Sequence, residues 1–198
     1  MNRRQRLTGA LAALAVTAGL GLAVAPAASS HGYIGGSNSQ LVARAALSSN
    51  TGLGAVQYEP QSIEGPKGFP AAGPADGHLA SGGNTRFSEL DAQTSTRWVK
   101  NQVTNRTVTV AWNYTALHAT TKWEYYITKP GWDQNAPLTR SELELISTVN
   151  YNGALPVQGA QHTFTIPADR TGYHVIYAVW VVDNTANAFY NAIDVNIS

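Results

Sequence analysis

The second half of the chain alternates between hydrophobic and polar residues, as strands with one buried face do. Residues 107–114 and 161–166 alternate at period two, and residues 122–127 do so less cleanly. Residues 172–182 form a longer, mostly apolar segment, and residues 188–197 close the chain in the same way. Turn-forming residues separate these segments. The pattern therefore predicts a mostly β fold, an antiparallel β-sandwich.

The first half of the chain shows little sustained periodicity. Residues 32–100 are rich in Gly, Pro, Ser and Asn, with dense turn signals over residues 65–70 and 72–77. A short helix is predicted over residues 88–100. Loops of this length are uncommon unless they are functional or disordered, and the aromatic and apolar residues here favour an ordered, functional loop. The expected fold is an immunoglobulin- or fibronectin-III-like sandwich with a long loop and short-helix insertion between the first strands.

The first 30 residues have a different pattern again. Arginines at positions 3, 4 and 6 precede an apolar run over residues 7–24, and residues 25–30 are mostly small. This order predicts a cleaved secretion signal. A transmembrane anchor is the alternative, although the run is borderline in length, and the match to a twin-arginine signal is weak. We therefore expect one secreted, extracellular domain over residues 31–198, a monomer with no membrane segment after processing.

Composition narrows the chemistry of this domain. The formal charge of +1 becomes −2 once the three arginines of the leader are removed, and no basic patch stands out, which argues against a nucleic-acid partner. The chain has no cysteine, so disulfides and thiolate metal sites are excluded. A metal would have to be held by histidine, carboxylate, tyrosine or backbone nitrogen. Such donors favour copper or zinc over an iron–sulfur cluster.

Cleavage after Ser30 would make His31 the N-terminal residue. An N-terminal histidine offers a metal two nitrogens, the free α-amine and the ring Nδ1. An internal histidine cannot do this, because its backbone nitrogen is an amide. The α-amine has a pKa of about 7.7–8.0, so a metal can displace its proton at neutral pH.

The remaining histidines differ in their surroundings. His162 and His174 lie in strand patterns and are interpreted as packing or surface residues, and His78 lies in a turn-rich segment where it could orient a loop. His118 follows a predicted strand, in a loop of the kind that presents ligands at the end of a sandwich. Together with His31 it would supply three nitrogens in a T shape. Such ligation suits copper(II), and imidazole also binds copper(I).

Several blocks of sequence, spread over essentially the whole mature chain, carry a family resemblance. They are residues 31–33 (HGY), 56–65 (VQYEPQSIEG), 67–70 (KGFP), 73–78 (GPADGH), 96–98 (TRW), 127–130 (ITKP) and 184–190 (NTANAFY). In this order they resemble the bacterial lytic polysaccharide monooxygenases of auxiliary activity family ten, formerly called chitin-binding proteins.

The resemblance implies a histidine brace in which His31 and His118 hold one copper ion. It also implies an aromatic residue near the axial copper position, which Phe189 matches, and a small residue beside the copper, which Ala116 matches. Glu64 matches an acid that interacts with bound oxygen species. The ordinary alternatives stay open at this stage, core packing for Phe189 and a solvated or ion-paired acid for Glu64.

The resemblance further implies a flat polysaccharide-binding face. The residues at the corresponding positions, with Ala116 beside the copper, are Tyr58, Glu59, Asn184, Thr185 and Asn187, and all but Asn184 match the family. An exposed tyrosine can stack on a sugar ring, whereas an exposed glutamate is common on any surface. Two features depart from the family. Relatives commonly carry cysteine pairs and this chain has none, so the shape of residues 37–55 is left open. In addition, Asn184 stands where chitin-active relatives often have Asp.

The predicted leader, the histidine pair and the binding face together indicate a function. The resemblance implies a secreted copper monooxygenase that oxidises crystalline chitin at C1, with an external electron donor and O2 or H2O2. A hydrolytic pair formed by Glu59 and Glu64 is not excluded by spacing, although a copper brace makes it unnecessary. Two other functions are kept open, a non-catalytic chitin-binding module and a periplasmic copper carrier.

Overall fold

The computed structural model describes residues 31–198, so the predicted leader over residues 1–30 lies outside the described residues. These residues form nine strands and four short 3-10 helices. The strands are β1 (His31–Ile34), β2 (Glu64–Pro66), β3 (Asn101–Val103), β4 (Thr107–Ala116), β5 (Thr120–Thr128), β6 (Leu143–Ala154), β7 (Ala160–Thr165), β8 (Gly172–Val182) and β9 (Asn187–Ile197). The helices are Gly54–Tyr58, Pro60–Ser62, Thr85–Asp91 and Arg140–Glu142. Over residues 31–198, no helix combines the length and the apolar character needed to cross a membrane.

The strands form two sheets. The smaller has the order β1-β4-β7, and the larger has the order β2-β9-β8-β5-β6, with β3 joined to β9. All of these pairs are antiparallel except β3 with β9. The segment between β1 and β4 contains three of the short helices and two short strands. The predicted antiparallel sandwich with a long insertion between its first strands is therefore confirmed.

The central strands of the larger sheet, β8 and β9, are buried on both faces. One face packs against the smaller sheet through residues such as Trp112 and Trp180. The other packs beneath the insertion through residues such as Trp98 and Tyr177. A strand that is covered on both sides needs apolar residues at successive positions, which explains the long apolar runs of β8 and β9.

Strand β6 is the long strand that alternation does not predict. The pairing of β5 with β6 shifts between Tyr125 and Tyr126. As a result Leu145 is exposed, while Ile146 and Val149 pack against the core. A bulge of one residue exchanges the two faces of a strand, so no single alternation runs through β6.

The helix predicted over residues 88–100 is wrong in its extent. The 3-10 helix Thr85–Asp91 ends at Asp91, and Ala92 already has extended backbone with φ −60° and ψ 123°. Gln93 and Trp98 are buried beyond this point, and the Trp98 indole donates to the Ala92 carbonyl at 2.7 Å. Side-chain contacts with the core, rather than a continued helical ladder, order this segment.

Arg44 anchors residues 37–55, the segment whose shape the absent cysteines left open. Its guanidinium donates to both carboxylate oxygens of Asp194 in β9, at 2.9 and 2.7 Å. It also donates to the Leu90 carbonyl at 2.7 Å and to the Gln93 side chain at 2.9 Å. Arg44 and Asp194 are almost fully buried, so removing one partner would leave a buried charge uncompensated. The pair fastens the insertion to the strand that also carries Phe189.

Candidate metal centre and binding face

Several loops meet at the end of the sandwich where β1 begins. His31 in β1 lies opposite Ala116 at the end of β4. Thr120 at the start of β5 lies opposite Ala154 at the end of β6 and Val182 at the end of β8. The β4–β5, β6–β7 and β8–β9 loops therefore share one end of the molecule with His31. We call it the site end.

Gly32 allows β1 to lie close to the core next to His31. A Cβ atom at this position would lie 2.8 Å from Tyr114 Cδ1 and 3.0 Å from Trp180 Cζ3. Carbon atoms pack at about 3.5–4.0 Å, so any side chain would push the strand outward. The β1–β4 pairing also shifts between His31 and Gly32. His31 is half-buried and lies in β1, an edge strand of the smaller sheet.

His118 lies in the β4–β5 loop, two residues beyond Ala116, and is half-buried. Its carbonyl accepts a hydrogen bond from the hydroxyl of Thr120 at 2.9 Å. The same hydroxyl accepts one from the Trp180 indole at 2.8 Å. Thr120 and Trp180 are both fully buried, so the backbone of His118 is attached to the rigid core.

Phe189 forms an apolar wall beside His31. Its ring is fully buried, and the ring centroids of Phe189 and His31 are 6.3 Å apart with an interplanar angle of 49°. On its other side it packs against Trp180, with centroids 5.0 Å apart. The ring is thus part of the core and also next to a candidate ligand, so the two interpretations of Phe189 are compatible.

Glu64 is positioned beside this wall by β2. Glu64 lies opposite Phe189 in the β2–β9 pairing, and its Oε1 accepts a hydrogen bond from Asn187 Nδ2 at 2.9 Å. The Thr185 hydroxyl bonds both the backbone N–H and the carbonyl of Asn187, each at 3.2 Å. Four of the predicted site residues are therefore linked through adjacent strands and a single turn.

Tyr58 and Glu59 lie on the insertion and have different surroundings. Tyr58 ends a 3-10 helix and is 82% exposed, which makes it the most exposed large hydrophobic residue of the described chain. Glu59 is half-buried and pairs with Arg86 at 2.5 Å. Arg86 is not predicted from the sequence, because it belongs to a helix much further along the chain. The ion pair holds the backbone next to Tyr58.

Asn184 is exposed in the β8–β9 loop, and Ala116 is half-buried opposite His31. The β8–β9 loop is held by Lys67, which no sequence signal singled out for this role. Lys67 Nζ donates to the carbonyls of Val182 and Asp183 at 2.7 and 3.1 Å, and its backbone N–H donates to the loop at 3.1 Å. The short loop that carries Asn184 and Thr185 therefore has its own support.

The other histidines serve the scaffold. His162 is buried with its Nδ1 2.5 Å from the Tyr125 hydroxyl, and His174 is buried with its Nδ1 2.9 Å from the Thr128 hydroxyl. Their interpretation as packing residues is confirmed. His78 is exposed and lies 3.2 Å from the Asp91 carboxylate, in the turn-rich segment.

The candidate centre lies on an open surface. Three cavities in the part of the chain that the structure describes are lined by other residues, and neither His31 nor His118 lines any of these three. Over residues 31–198, no group of three or more His, Asp or Glu side chains is arranged to hold a metal. The two histidines are half-buried, so a ligand would reach them from outside rather than through a cleft.

These features define the class of protein: a β-sandwich with a candidate two-histidine metal centre at one open end. Residues 22–195 match the family model described as lytic polysaccharide mono-oxygenase, cellulose-degrading. The chain belongs to the lytic polysaccharide monooxygenases of auxiliary activity family ten, and the resemblance seen in its sequence is confirmed. The family is named for a monooxygenase, which is an oxidoreductase activity.

Two curated relatives illustrate the similarity. GlcNAc-binding protein A of Shewanella oneidensis is 47% identical over 190 residues, which is 95% of this chain. The chain spans only 40% of the length of that relative. The lytic chitin monooxygenase of Enterococcus faecalis is 46% identical over 180 residues, which cover 89% of this chain and 91% of that protein.

Solved structures show the same fold. The catalytic domain of a lytic polysaccharide monooxygenase from Listeria monocytogenes is 48% identical with a TM-score of 0.80, over 85% of this chain and 99% of that one. A Bacillus amyloliquefaciens protein, in complex with Cu(I) after photoreduction, is 46% identical with a TM-score of 0.75, over 85% of this chain and 100% of that one. The family and this second structure point to copper as the metal.

Proposed function

We propose that this protein is a secreted copper monooxygenase that breaks the glycosidic bonds of crystalline chitin by oxidation. The observation that carries the proposal is the position of His31 and His118 on an open end of the sandwich, together with Tyr58, which is 82% exposed. An open end can act on a crystal face, whereas a cleft would require a separated chain. The names of the Enterococcus and Shewanella relatives support chitin, or its N-acetylglucosamine unit, as the ligand.

The donors at the site end fit one copper ion. His31 and His118 would supply imidazole nitrogens, which copper accepts in both oxidation states. The third nitrogen would be the α-amine of His31, which becomes available if residues 1–30 are removed as a leader. Phe189 keeps one side of His31 apolar, which limits the approach of further ligands from that side.

Copper, when bound, supplies one-electron redox chemistry and activation of the oxidant. In the overall reaction a C1–H bond of the sugar becomes C1–OH. With O2, one oxygen atom enters the sugar, and the other leaves as water after an external donor has provided two electrons and two protons. With H2O2, one oxygen atom enters the sugar and the other leaves as water, with no further electrons consumed. The hydroxylated C1 then loses its bond to the glycosidic oxygen, and the new end becomes a lactone that hydrates to an aldonic acid.

The chain's own residues orient this chemistry. Tyr58 would stack on a sugar ring, and the Glu59–Arg86 pair would hold Tyr58 in place. Asn187 holds Oε1 of Glu64, so the carboxylate presents a fixed acceptor for a proton or hydrogen bond beside the His31–Phe189 pair. Asn184 and Thr185 would contact the polysaccharide from the β8–β9 loop.

The proposal is tested by mass spectrometry of β-chitin treated with copper-loaded protein and a reductant. We expect oligosaccharides that end in aldonic acids, and none from the metal-free protein or from His118→Ala. Copper binding and chitin retention without oxidised products would instead identify a chitin-binding module. Copper binding without retention on chitin would identify a copper carrier. Because the family model is described as cellulose-degrading, a parallel reaction on cellulose decides between the two polysaccharides.

A further inference from the structure

Exposed hydrophobic side chains are concentrated at the site end. Six large hydrophobic residues of the described chain are exposed, and they are Tyr58, Val99, Leu117, Leu145, Leu155 and Val157. Leu117 lies in the β4–β5 loop next to His118, and Leu155 and Val157 lie in the β6–β7 loop. Single exposed hydrophobic residues are ordinary, but a group of them in adjacent loops indicates a binding surface. We call Leu117, Leu155 and Val157 the apolar rim.

The apolar rim and Tyr58 lie on opposite sides of the candidate centre. Strand β4 runs between β1 and β7 in the smaller sheet. The insertion reaches the β1 side, because the helix Pro60–Ser62 that follows Tyr58 packs against β1. The β6–β7 loop lies on the β7 side, where Gln158 Oε1 accepts a hydrogen bond from the Tyr114 N–H of β4 at 3.1 Å. His31 and the end of β4 therefore lie between the two groups of exposed side chains.

The two loops that carry the apolar rim contain no charged residue, although Asp183 of the β8–β9 loop lies beside them: its carboxylate accepts a hydrogen bond from Thr121 at 2.9 Å and lies 3.5 Å from where a Cβ atom on Gly153 would be. Residues 107–121 and 145–168 contain no Asp, Glu, Lys or Arg. Leu155 is 64% exposed, Val157 is 67% exposed and Leu117 is 43% exposed. The opposite side carries the charged pair of Glu59 and Arg86. Exposed leucine and valine in uncharged loops fit an uncharged ligand with exposed methyl groups, and the lack of basic residues disfavours nucleic acid.

We propose that the apolar rim is a second arm of the polysaccharide-binding face and contacts the acetamido methyl groups of chitin. This inference rests on the proposed function and identifies which groups of the substrate this side of the site recognises. Chitin carries an acetamido methyl on each sugar, and cellulose has a hydroxyl at the same position. Burial of methyl groups against leucine and valine would favour chitin, whereas stacking on Tyr58 serves either polysaccharide.

The test measures equilibrium binding of copper-free mature protein to β-chitin and to cellulose. In the double variant Leu155→Ser/Val157→Ser we expect the Kd on chitin to rise about threefold to tenfold, from the loss of buried apolar area, with no change on cellulose. The matched control is Leu145→Ser, which is also exposed but lies opposite Tyr126, towards the other end of β6. This control should bind chitin as the unmodified protein does.

Three results would overturn the inference: an unchanged Kd of the double variant on chitin, an equal rise on cellulose, or an equal rise in Leu145→Ser. Thermal unfolding verifies that each variant is folded. If the double variant is not folded, the single variant Leu155→Asn is used in its place. If the unmodified protein neither binds nor oxidises chitin, the proposed function fails together with the inference. If it does both and Tyr58→Ala weakens binding while the double variant does not, only the second arm is wrong.

Discussion

One hydroxyl group connects Trp180 to His118. The Thr120 hydroxyl accepts a hydrogen bond from the Trp180 indole at 2.8 Å and donates one to the His118 carbonyl at 2.9 Å. The Trp180 ring also lies against Gly32, the neighbour of His31, and packs on Phe189. A single buried tryptophan thus supports the backbone of both histidines and the ring beside them. We infer that it sets the spacing of the candidate ligands.

Replacing Thr120 with Val should disturb His118 without touching its ring. The change leaves the Trp180 indole and the His118 carbonyl without their shared partner, so we expect stability to fall by about 1–3 kcal/mol. Copper affinity should fall by about tenfold, because groups that orient ligands affect metal binding at this scale. Isothermal titration and the copper(II) electron paramagnetic resonance spectrum measure these effects.

Thr120→Ser retains the hydroxyl and should restore both the affinity and the spectrum. Thr163→Val is the matched control, since its hydroxyl pairs only with Thr109 on the exposed face of the smaller sheet. A normal copper spectrum and affinity in Thr120→Val would show that the hydroxyl does not position His118.

Gly32→Ala should displace strand β1. The new methyl group would lie 2.8 Å from Tyr114 Cδ1 and 3.0 Å from Trp180 Cζ3, so the strand or both rings must move. Forcing a methyl group into a packed site costs about 1–3 kcal/mol. We expect a lower melting temperature and weaker copper binding. Unchanged values for both would mean that the strand adapts without moving His31.

One additional residue before His31 should abolish tight copper binding. An extra Ala converts the α-amine of His31 into an amide, which removes one of the three proposed nitrogens. We compare this extended protein with the protein that begins at His31, by copper titration and by oxidation of chitin. Full activity of the extended protein would contradict the proposed ligand set. The same reasoning predicts that the precursor is inactive.

Glu64→Gln tests the carboxylate beside Phe189. The amide can still bond with Asn187, but it cannot take up a proton as a carboxylate does. We expect the oxidation rate to fall by about tenfold or more, at the lower end of general acid–base effects, with chitin binding unchanged. Asn187→Ala should lower the oxidation rate less, because it removes the hydrogen bond that holds Glu64 but leaves the carboxylate in place. If Glu64→Gln oxidises chitin at the normal rate, the proposed role is incorrect.

The protein should lose stability as the pH falls below neutral. Burial lowers the pKa of His162 from 6.5 to about 4, and burial also lowers the pKa of His174. As the pH falls, the histidine of the unfolded chain is therefore protonated before the buried His162. The contribution of neutral His162 to the free energy of unfolding is complete above about pH 6.5 and is lost as the pH falls towards 4. The loss from His162 is about 3 kcal/mol.

Urea unfolding of copper-free protein between pH 7 and pH 4 measures this loss. His162→Gln should show a smaller decrease, because its amide oxygen can accept the Tyr125 hydroxyl and does not titrate. An equal decrease in the variant and the unmodified protein would assign the acid sensitivity to other groups.

Much of the sandwich could be predicted from the sequence. Residues 107–114, 161–166 and 172–182 form strands where their patterns indicate, because each strand keeps one pattern of burial: β7 alternates between buried and exposed residues, and β8 is buried almost throughout. Strand β6 could not be predicted, since its bulge opposite Tyr125 and Tyr126 interrupts the alternation. The helix expected over residues 88–100 ends at Asp91, because contacts of Gln93 and Trp98 with the core outweigh local helical preference.

The sequence by itself determined the chemical identity of the candidate site, because the residue types and the family blocks are local. It also indicated that cleavage would give His31 a second nitrogen donor. Only the tertiary structure decided which residues support the site, such as Thr120, Arg86 and Lys67, because their partners lie far away in the chain. The register of β1 on β4 decided that His31 lies opposite Ala116. A shift of one residue would turn every side chain of β1 to the other face of the sheet and separate the two histidines.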